Sequence, residues 1–264
     1  MTETRRPTVL IVAGNDPSGG AGQAADLQAV TALAAHPAPV LTALTVQDTR
    51  NASRVEAADA ELVAAQMHAV LNDQPVAAVK IGLLATAGIA RAVASVLADA
   101  APAVPVVLDP VLVAAGGAVL AERDLAGVLL EALMPLATVV TPNAHEIREL
   151  AGADVGRDQQ AARLLERGAR FVLAKGGDED TPDVVNTLYG AAGEKRTWHW
   201  PRLPGDFHGS GCTLASAIAA RLAHGSPPES AVEQAQAWTQ AALAAAFRPG
   251  RGQHVPLRIP APDR

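Results

Sequence analysis

The sequence predicts an α/β protein whose mostly parallel sheet carries helices on both faces. Strand-like and helix-like segments alternate along most of the chain, which is the pattern of consecutive β-α units. The apolar run at residues 104–111 is broken by Asp109-Pro110, as expected where a buried parallel strand delivers a polar residue to a sheet edge. The length of 264 residues fits one large α/β unit. We therefore expect residues 1–264 to form a single domain.

Each predicted element has its own signal in the first two thirds of the chain. The predicted strands are short apolar or β-branched runs, at residues 8–14, 40–46, 76–84, 104–111, 138–143 and 171–175. The predicted helices have apolar residues at helical spacing, at residues 61–71, 125–134 and 161–167, at Leu27, Val30 and Leu33, and at Ile89, Val93 and Leu97.

The pattern changes after Lys175. Residues 183–189 and 196–200 predict two strands joined by a turn, which we interpret as a small antiparallel addition at one edge of the sheet. A helix is predicted after the glycine-rich run at residues 208–212. Ser226 and Glu229 have the spacing of a capping box, which predicts the start of the last helix.

Composition and charge exclude several classes of function. The formal net charge is −6 and no basic cluster occurs, which argues against nucleic acid or an anionic membrane surface as the partner. No segment is long and apolar enough to span a bilayer, and the start of the sequence lacks the apolar stretch of a signal peptide. The single cysteine excludes an intrachain disulfide framework and fits a reducing compartment. We therefore expect a cytoplasmic protein.

The cysteine also marks the most informative motif. It closes the run His208-Gly209-Ser210-Gly211-Cys212, directly ahead of a predicted helix. Glycines let the backbone approach a ligand, and the free amides of a helix N-terminus suit a phosphate or an oxyanion. We expect the pKa of this thiol to lie below the reference value of about 8.5 for cysteine, so that the thiolate can serve as a proton acceptor. The alternative for Cys212 is a buried cysteine that acts as a small hydrophobe. His208 could act as a base, and the alternative for it is a polar packing residue.

A second glycine-rich loop, at residues 14–22, lies between the first strand and the first helix. A P-loop would need a lysine and a hydroxyl residue after the last glycine, where Gln23 and Ala24 stand. The glycine spacing also differs from that of a dinucleotide fingerprint. The loop suits a small molecule with several hydrogen-bonding edges, or else it is a tight connection that uses glycine for its geometry.

Polar residues at successive strand ends predict a phosphate and metal site. Asp109, Asn143, Glu146 and Lys175 follow neighbouring predicted strands, and the carboxyl ends of parallel strands share one sheet edge. Carboxylates with an amide suit Mg²⁺, and the lysine would neutralise a phosphate oxygen. The alternative for Glu146 is a first-turn helix acid, and for Lys175 an exposed charge at a strand end.

Taken in order, these motifs resemble the hydroxymethylpyrimidine and phosphomethylpyrimidine kinases of thiamine biosynthesis, within the ribokinase-like superfamily. The matching segments cover nearly the whole chain, at residues 13–22, 25–27, 42–47, 79–82, 108–111, 141–146, 175–177 and 208–214. The resemblance implies a ribokinase-like three-layer sandwich. It also implies ATP-dependent phosphorylation of 4-amino-5-hydroxymethyl-2-methylpyrimidine and of its monophosphate.

The resemblance implies roles for individual residues. At the substrate end, Gln47 would hold the pyrimidine through its amide, with Gly14, Asp26 and Leu83 nearby. At the nucleotide end, the implied ligands of ATP and its phosphates are Lys175, Asn143, Glu146 and Ser210, and Asp109 and Glu146 would hold Mg²⁺. At the reacting phosphate, Cys212 would act as the base, with amides from Gly209 and Gly211.

Two departures from the family pattern bear on substrate handling. The family often has a lysine and Ser-Gly-Asp where this chain has Ala114-Ala115-Gly116-Gly117-Ala118. We expect the lost charge to weaken the second phosphorylation. Leu83 stands where methionine is usual near the pyrimidine, which is a mild change of apolar shape.

Alternative functions and the oligomeric state complete the expectations. The closest alternative is a pyridoxal or pyridoxine kinase on the same scaffold; a non-catalytic pyrimidine-binding protein and a nicotinamide dehydrogenase leave Cys212, Lys175 and Glu146 without roles. We also expect a homodimer, because Trp198 and Trp200 would otherwise present an apolar face of the edge strands to water.

Overall fold

The computed structural model of the chain describes residues 6–113, 117, 120 and 122–259. Within these residues, nine strands form one sheet in the order β3-β2-β1-β4-β5-β6-β7-β8-β9. The strands are β1 (Thr8–Asn15), β2 (His36–Gln47), β3 (Ala52–Ala57), β4 (Val76–Ile81), β5 (Val106–Leu108), β6 (Val139–Val140), β7 (Phe171–Ala174), β8 (Asp183–Gly190) and β9 (Lys195–Pro201). The helices are α1 (Gly22–Ala32), α2 (Ala60–Asp73), α3 (Ala87–Ala100), α4 (Leu125–Val128), α5 (Ala144–Ala151), α6 (Arg157–Glu166), α7 (Ser210–Ala223) and α8 (Pro228–Ala244).

The sheet is parallel in its centre and antiparallel at both edges. Strands β2, β1, β4, β5, β6 and β7 pair in parallel. Strands β8 and β9 add to β7 in antiparallel fashion, which confirms the predicted edge addition. Strand β3 pairs antiparallel with β2 at the opposite edge and was not predicted.

Side chains that alternate along the central strands feed two separate cores. On β1, Leu10 and Val12 belong to the core cluster that also contains apolar residues of α2, α3, α5 and α6. Val9 and Ile11 point to the other face and belong to the cluster formed with α1, α7 and α8. The molecule is therefore a three-layer sandwich, as expected. No helix within the described residues is long and apolar enough to cross a membrane.

Helix α7 is buried along most of its length. Four of its nine buried residues are alanines, Ala215, Ala217, Ala219 and Ala220. Small side chains allow the helix to lie close to the sheet on one side and to α1 and α8 on the other. Close packing on several sides fixes the position of the helix N-terminus, which is where the cysteine motif lies.

Two local predictions were wrong. The single helix predicted at residues 125–134 is instead α4 followed by a π-helical turn, Leu129–Leu133, and a 3₁₀ turn, Met134–Leu136. Pro135 cannot donate a backbone hydrogen bond, which favours this change of helix type. The capping box at Ser226 and Glu229 does not form, because α8 has Pro227 at its N-cap position and no side chain caps it.

Candidate active site

A cleft of about 730 Å³ opens at the carboxyl ends of the parallel strands and at the N-terminus of α7. Its size is typical of small-molecule sites, which measure roughly 300–1,000 Å³. Eleven of the site residues proposed from the sequence line this cleft: Gly14, Gln47, Leu83, Asp109, Asn143, Glu146, Lys175, Gly209, Ser210, Gly211 and Cys212. The sheet topology thus brings together residues that are far apart in the sequence.

Two glycines shape the N-terminus of α7. Gly209 is the N-cap residue and has a φ of 79°, in the left-handed region that favours glycine. A Cβ at this position would also overlap the carbonyl oxygen of Gly20 in the first loop. A Cβ at Gly211 would come 3.1 Å from Lys175 Nζ. The two glycines therefore let the helix N-terminus lie against the first loop and against the lysine.

Asp109 and Lys175 form a partly buried ion pair on the cleft wall. Lys175 Nζ donates to Asp109 Oδ1 at 3.0 Å, and Thr141 Oγ1 donates to the same oxygen at 2.9 Å. Burial opposes ionisation of Asp109, but the charges of Lys175 and Lys80 and these hydrogen bonds hold its pKa below the usual value. Asp109 is therefore a carboxylate with one oxygen, Oδ2, outside these contacts.

Asn143 and Glu146 form the capping box of α5. Asn143 Oδ1 accepts hydrogen bonds from the backbone N–H groups of His145 and Glu146, and Glu146 Oε2 accepts one from the Asn143 N–H at 2.8 Å. The helix-acid interpretation of Glu146 is therefore confirmed as a structural role. Burial raises the pKa of Glu146 to about 7, with Lys175 opposing and Asp109 reinforcing the shift. The Asn143 oxygen is committed to the cap, which leaves its NH₂ group for a ligand.

Cys212 lies in the first turn of α7, yet its ionisation differs from the expectation. Burial, reinforced by the charges of Asp26 and Asp109, raises the pKa of the thiol to about 11. Lys80 and a hydrogen bond from the Gly22 backbone oppose this rise without overcoming it. The expected lowering of the pKa was therefore wrong, because burial and two carboxylates from distant segments outweigh the helix N-terminus.

Asp26 lies beneath the cleft and does not line it. Its carboxylate is fully buried, accepts a hydrogen bond from Lys80 Nζ at 2.8 Å and another from Ser216 Oγ at 2.7 Å. Burial favours the neutral form of Lys80, but the adjacent Asp26 raises the lysine pKa and keeps it protonated. The expected position of Asp26 beside the pyrimidine is therefore corrected: Asp26 supports Lys80, which itself lines the cleft.

One end of the cleft lies at the carboxyl ends of β1 and β2 and is formed by Gly14, Gln47 and Leu83. A Cβ at Gly14 would come 3.0 Å from Leu83 Cδ2, so the glycine keeps this wall flat. The Gln47 amide lies 3.1 Å from Thr45 Oγ1 and 3.2 Å from His208 Nε2. His208 is buried and packs through a 2.7 Å contact between Nε2 and Asp16 Oδ2.

Sequence reasoning missed Arg258, whose guanidinium is buried behind the two glycine loops. Its Nε donates to Thr213 Oγ1 at 2.8 Å, and its two NH₂ groups donate to the Gly20 carbonyl at 2.5 Å and to Gln28 Oε1 at 3.2 Å. Burial lowers the pKa of Arg258 to about 10. No local pattern in the sequence marks this arginine, because its partners come from the first loop, α1 and α7.

The edge strands also differ from expectation. Trp200 lines the cleft, and its indole Nε1 donates to Gln236 Oε1 on α8 at 3.1 Å. Trp198 packs against the core cluster beneath α7 and α8. The same chain therefore partly covers these two side chains, which are half-buried without a partner chain.

The family can now be identified. Residues 16–258 match the sequence family described as phosphomethylpyrimidine kinase. The chain belongs to the phosphomethylpyrimidine kinase family. The resemblance seen in the sequence is thereby confirmed, as are the ribokinase-like fold and the phosphotransferase class. Of the segment in which the sequence departs from this family, residues 114–116 and 118 lie outside the described residues.

Individual relatives agree with this assignment. A hydroxymethylpyrimidine/phosphomethylpyrimidine kinase of Rhizobium meliloti is 40% identical over 255 residues, which cover 92% of this chain and 93% of the relative. A thiamine biosynthesis bifunctional protein of Geobacter sulfurreducens is 44% identical over 256 residues, which cover 96% of this chain and 52% of that protein. The chain thus spans about half the length of the Geobacter relative.

A solved structure shows the same fold with a different substrate. Pyridoxal kinase from Staphylococcus aureus, in complex with AMP-PCP and pyridoxal, has a TM-score of 0.85 and 27% sequence identity; the match covers 96% of this chain and 94% of that one. This phosphomethylpyrimidine kinase family member therefore shares its architecture with kinases of another heteroaromatic alcohol.

Proposed function

We propose that the protein transfers a phosphoryl group from ATP to the hydroxymethyl group of 4-amino-5-hydroxymethyl-2-methylpyrimidine, and a second one to the resulting monophosphate. The observation that carries the proposal is one continuous cleft with two chemically different ends. Gln47 presents an amide at one end, and Lys175 and the N-terminus of α7 present positive charge elsewhere in the same cleft. The relatives named hydroxymethylpyrimidine/phosphomethylpyrimidine kinase support the same substrates.

Phosphoryl transfer depends on positioning and on charge stabilisation. The backbone amides of Gly209, Ser210 and Gly211 lie at the start of α7, where the first N–H groups of a helix have no partner within it. Lys175 adds a full positive charge close to Gly211. Together these groups would bind the transferring phosphoryl group and stabilise the charge that develops on its oxygens.

Cys212 is the proposed base for the substrate hydroxyl. In the ligand-free protein its raised pKa keeps the thiol protonated at neutral pH. The neighbouring charge of Lys80 and the hydrogen bond from Gly22 favour the thiolate. The base would therefore work from a small thiolate population that grows as pH rises, and each thiolate would be a strong proton acceptor.

Asp109 and Glu146 fit a Mg²⁺ ion. Their carboxylates are close enough for the Asp109 charge to act on the pKa of Glu146, which burial raises. Mg²⁺ in kinases is held by one or two carboxylates together with substrate phosphates. Asp109 and Glu146 would hold the ion, which would supply neutralisation of phosphate charge.

The pyrimidine would bind at the Gln47 end of the cleft. A primary amide offers one donor and one acceptor, which match the amino group and the ring nitrogen of an aminopyrimidine. Gly14 and Leu83 would flank the ring with an apolar surface. Asp26 has no direct role in this proposal, since it lies beneath the cleft.

The alternative function is a pyridoxal kinase. The shared architecture with the Staphylococcus aureus enzyme supports it. The aminopyrimidine is favoured because the Rhizobium meliloti relative is 40% identical over 255 residues, compared with 27% for the pyridoxal kinase.

An ATP-coupled assay with hydroxymethylpyrimidine, its monophosphate and pyridoxal tests the proposal directly. We expect the highest kcat/KM for hydroxymethylpyrimidine and a lower value for its monophosphate, because of the altered segment at residues 114–118. A higher kcat/KM for pyridoxal than for either pyrimidine would overturn the substrate assignment. We also propose that the protein acts as a cytoplasmic homodimer, on the basis of its single cysteine, its charge and the family resemblance.

A further inference from the structure

The Gln47 amide lies between two partners that constrain it unequally. One amide atom lies 3.2 Å from His208 Nε2 and the other lies 3.1 Å from Thr45 Oγ1. The Thr45 hydroxyl also donates to the carbonyl of Asn15 at 2.9 Å. A hydroxyl can rotate to donate or to accept. The direction of the amide therefore depends on His208.

Asp16 determines which protons His208 carries. Asp16 Oδ2 lies 2.7 Å from His208 Nε2 and also accepts hydrogen bonds from the Ala21 N–H and the Ser18 hydroxyl. Burial tends to raise the pKa of Asp16, but the hydrogen bonds from His208 and Ser18 outweigh burial and hold the pKa below its usual value. Asp16 is thus a carboxylate, and a carboxylate only accepts hydrogen bonds. His208 Nε2 must therefore carry a hydrogen.

A donor at His208 Nε2 selects one of the two amide orientations. If the Gln47 NH₂ group faced this nitrogen, two donors would oppose each other at 3.2 Å. A half-turn of the amide about its terminal bond exchanges the nearly equivalent oxygen and nitrogen. The oxygen then shares the single His208 Nε2–H with Asp16, and the NH₂ group donates to Thr45 Oγ1, whose own hydrogen goes to Asn15. Every donor in the group has an acceptor in this orientation.

We propose that the Asp16–His208 pair fixes the direction of the Gln47 amide, with its oxygen toward His208 and its nitrogen toward Thr45. This inference rests on the proposed function and deepens it. The remaining lone pair of the amide oxygen accepts from an amino group, and the remaining N–H donates to an unprotonated ring nitrogen. A ring with a carbonyl group and a protonated ring nitrogen on that edge presents the opposite pattern and is rejected. Asp16 and His208 are therefore positioning residues for substrate selection.

The test compares two ligands that differ only in this edge. The first is 4-amino-5-hydroxymethyl-2-methylpyrimidine, and the second is its 4-oxo analogue, which carries a carbonyl oxygen and a ring N–H. Their dissociation constants are measured by titration calorimetry, and the KM and kcat of each are measured with ATP. We expect wild type to prefer the amino compound by roughly tenfold or more, since the mismatched edge leaves buried polar groups unpaired.

Four variants separate a positioning role from a merely structural one. His208→Leu removes the N–H, and the shorter amide of His208→Asn cannot occupy the position of Nε2, the atom that contacts both Asp16 and Gln47; both variants release the Gln47 amide. His208→Gln keeps an NH₂ group that reaches both partners. Thr45→Val is the matched control, because it removes the partner that does not set the direction. Circular dichroism and thermal unfolding report whether each variant folds.

We expect the preference for the amino compound over its 4-oxo analogue to be lost only in the variants that release the Gln47 amide. His208→Leu and His208→Asn should bring the ratio of the two dissociation constants close to one, with a larger change in KM than in kcat. His208→Gln and Thr45→Val should keep the wild-type ratio. Equal weakening of both ligands in the folded His208→Leu or His208→Asn variant overturns the inference while leaving the proposed function intact. If wild type binds neither pyrimidine, the proposed function fails and this inference fails with it.

Discussion

Lys80 Nζ lies 2.8 Å from Asp26 Oδ2, and both side chains are fully buried. Lys80 lines the cleft and Asp26 lies beneath it, and the charges of both residues act on Cys212. Ser216 gives Asp26 a second hydrogen bond at 2.7 Å. An ion pair in this position costs desolvation energy, so its presence beside the reactive thiol indicates a role in setting the charge there rather than in stabilising the fold.

Removing one member of this pair should destabilise the protein strongly. Lys80→Met leaves Asp26 as an uncompensated buried charge, and we expect a loss of about 3–5 kcal/mol in the free energy of unfolding. The double variant Lys80→Met/Asp26→Leu should recover most of that loss, since neither charge is then buried. Urea unfolding followed by circular dichroism measures both. A single variant within 1 kcal/mol of wild type would contradict the buried pair.

Cys212→Ser should fold normally and lose most phosphoryl transfer. A hydroxyl is a far weaker acid than a thiol, so serine provides almost no anionic base, and loss of a general base typically costs about 10²–10⁴ in rate. The measurement is kcat in the coupled assay, with ATP binding by calorimetry as the control for an intact site. Turnover close to that of wild type would remove Cys212 from the role of base.

The raised pKa of Cys212 predicts the pH dependence of activity. The folded protein holds the thiol in its neutral form at pH 7, and the proton-accepting thiolate increases about tenfold for each pH unit below its pKa of about 11. We therefore expect log kcat/KM to rise with pH between 7 and 9, and alkylation of Cys212 by iodoacetamide to rise in parallel. A profile that is flat above pH 8 would instead support the thiol of low pKa expected from the sequence.

Gln47→Leu should raise the KM for hydroxymethylpyrimidine much more than the KM for ATP. Leucine has similar bulk but leaves the amino group and the ring nitrogen of the ligand unpaired, at a cost of about 1–3 kcal/mol for each buried group. We expect a loss of roughly tenfold or more in affinity for the pyrimidine. Titration calorimetry checks this. Equal binding by wild type and variant would make Gln47 a scaffold residue.

The homodimer stays a prediction, but the two tryptophans of the edge strands no longer support it. Trp198 and Trp200 pack within their own chain, so they do not require a partner. Static light scattering at micromolar concentration should give twice the mass of the 27.0 kDa chain. A monomer mass under these conditions would refute the prediction.

The sequence was sufficient to predict which residues meet in the cleft. Asp109, Asn143 and Lys175 each follow a strand of one parallel sheet, so the alternation of strands and helices fixes their common edge. Strand β3 was missed because its residues are mostly exposed and half of them are polar, and it therefore lacks the apolar alternation by which strands are recognised.

The burial of the site residues could not be predicted from the sequence in the same way. Asp26 and Lys80 are separated by 53 residues of sequence, yet their pairing decides that neither is an exposed charge. The pKa of Cys212 depends on burial and on carboxylates contributed by α1 and by the segment after β5. These effects on the pKa arise only when distant segments pack together, so no local motif reveals them.

Arg258 has a consequence for the timing of synthesis. It joins the first glycine loop, through Gly20, to Thr213 on α7, and it follows all the strands and helices found in the part of the chain that the structure describes. A nascent chain therefore has all of its sheet before it has the residue that holds the two loops together. The ribosome thus delivers the sheet and its helices before the contact that holds the two glycine loops of the cleft together.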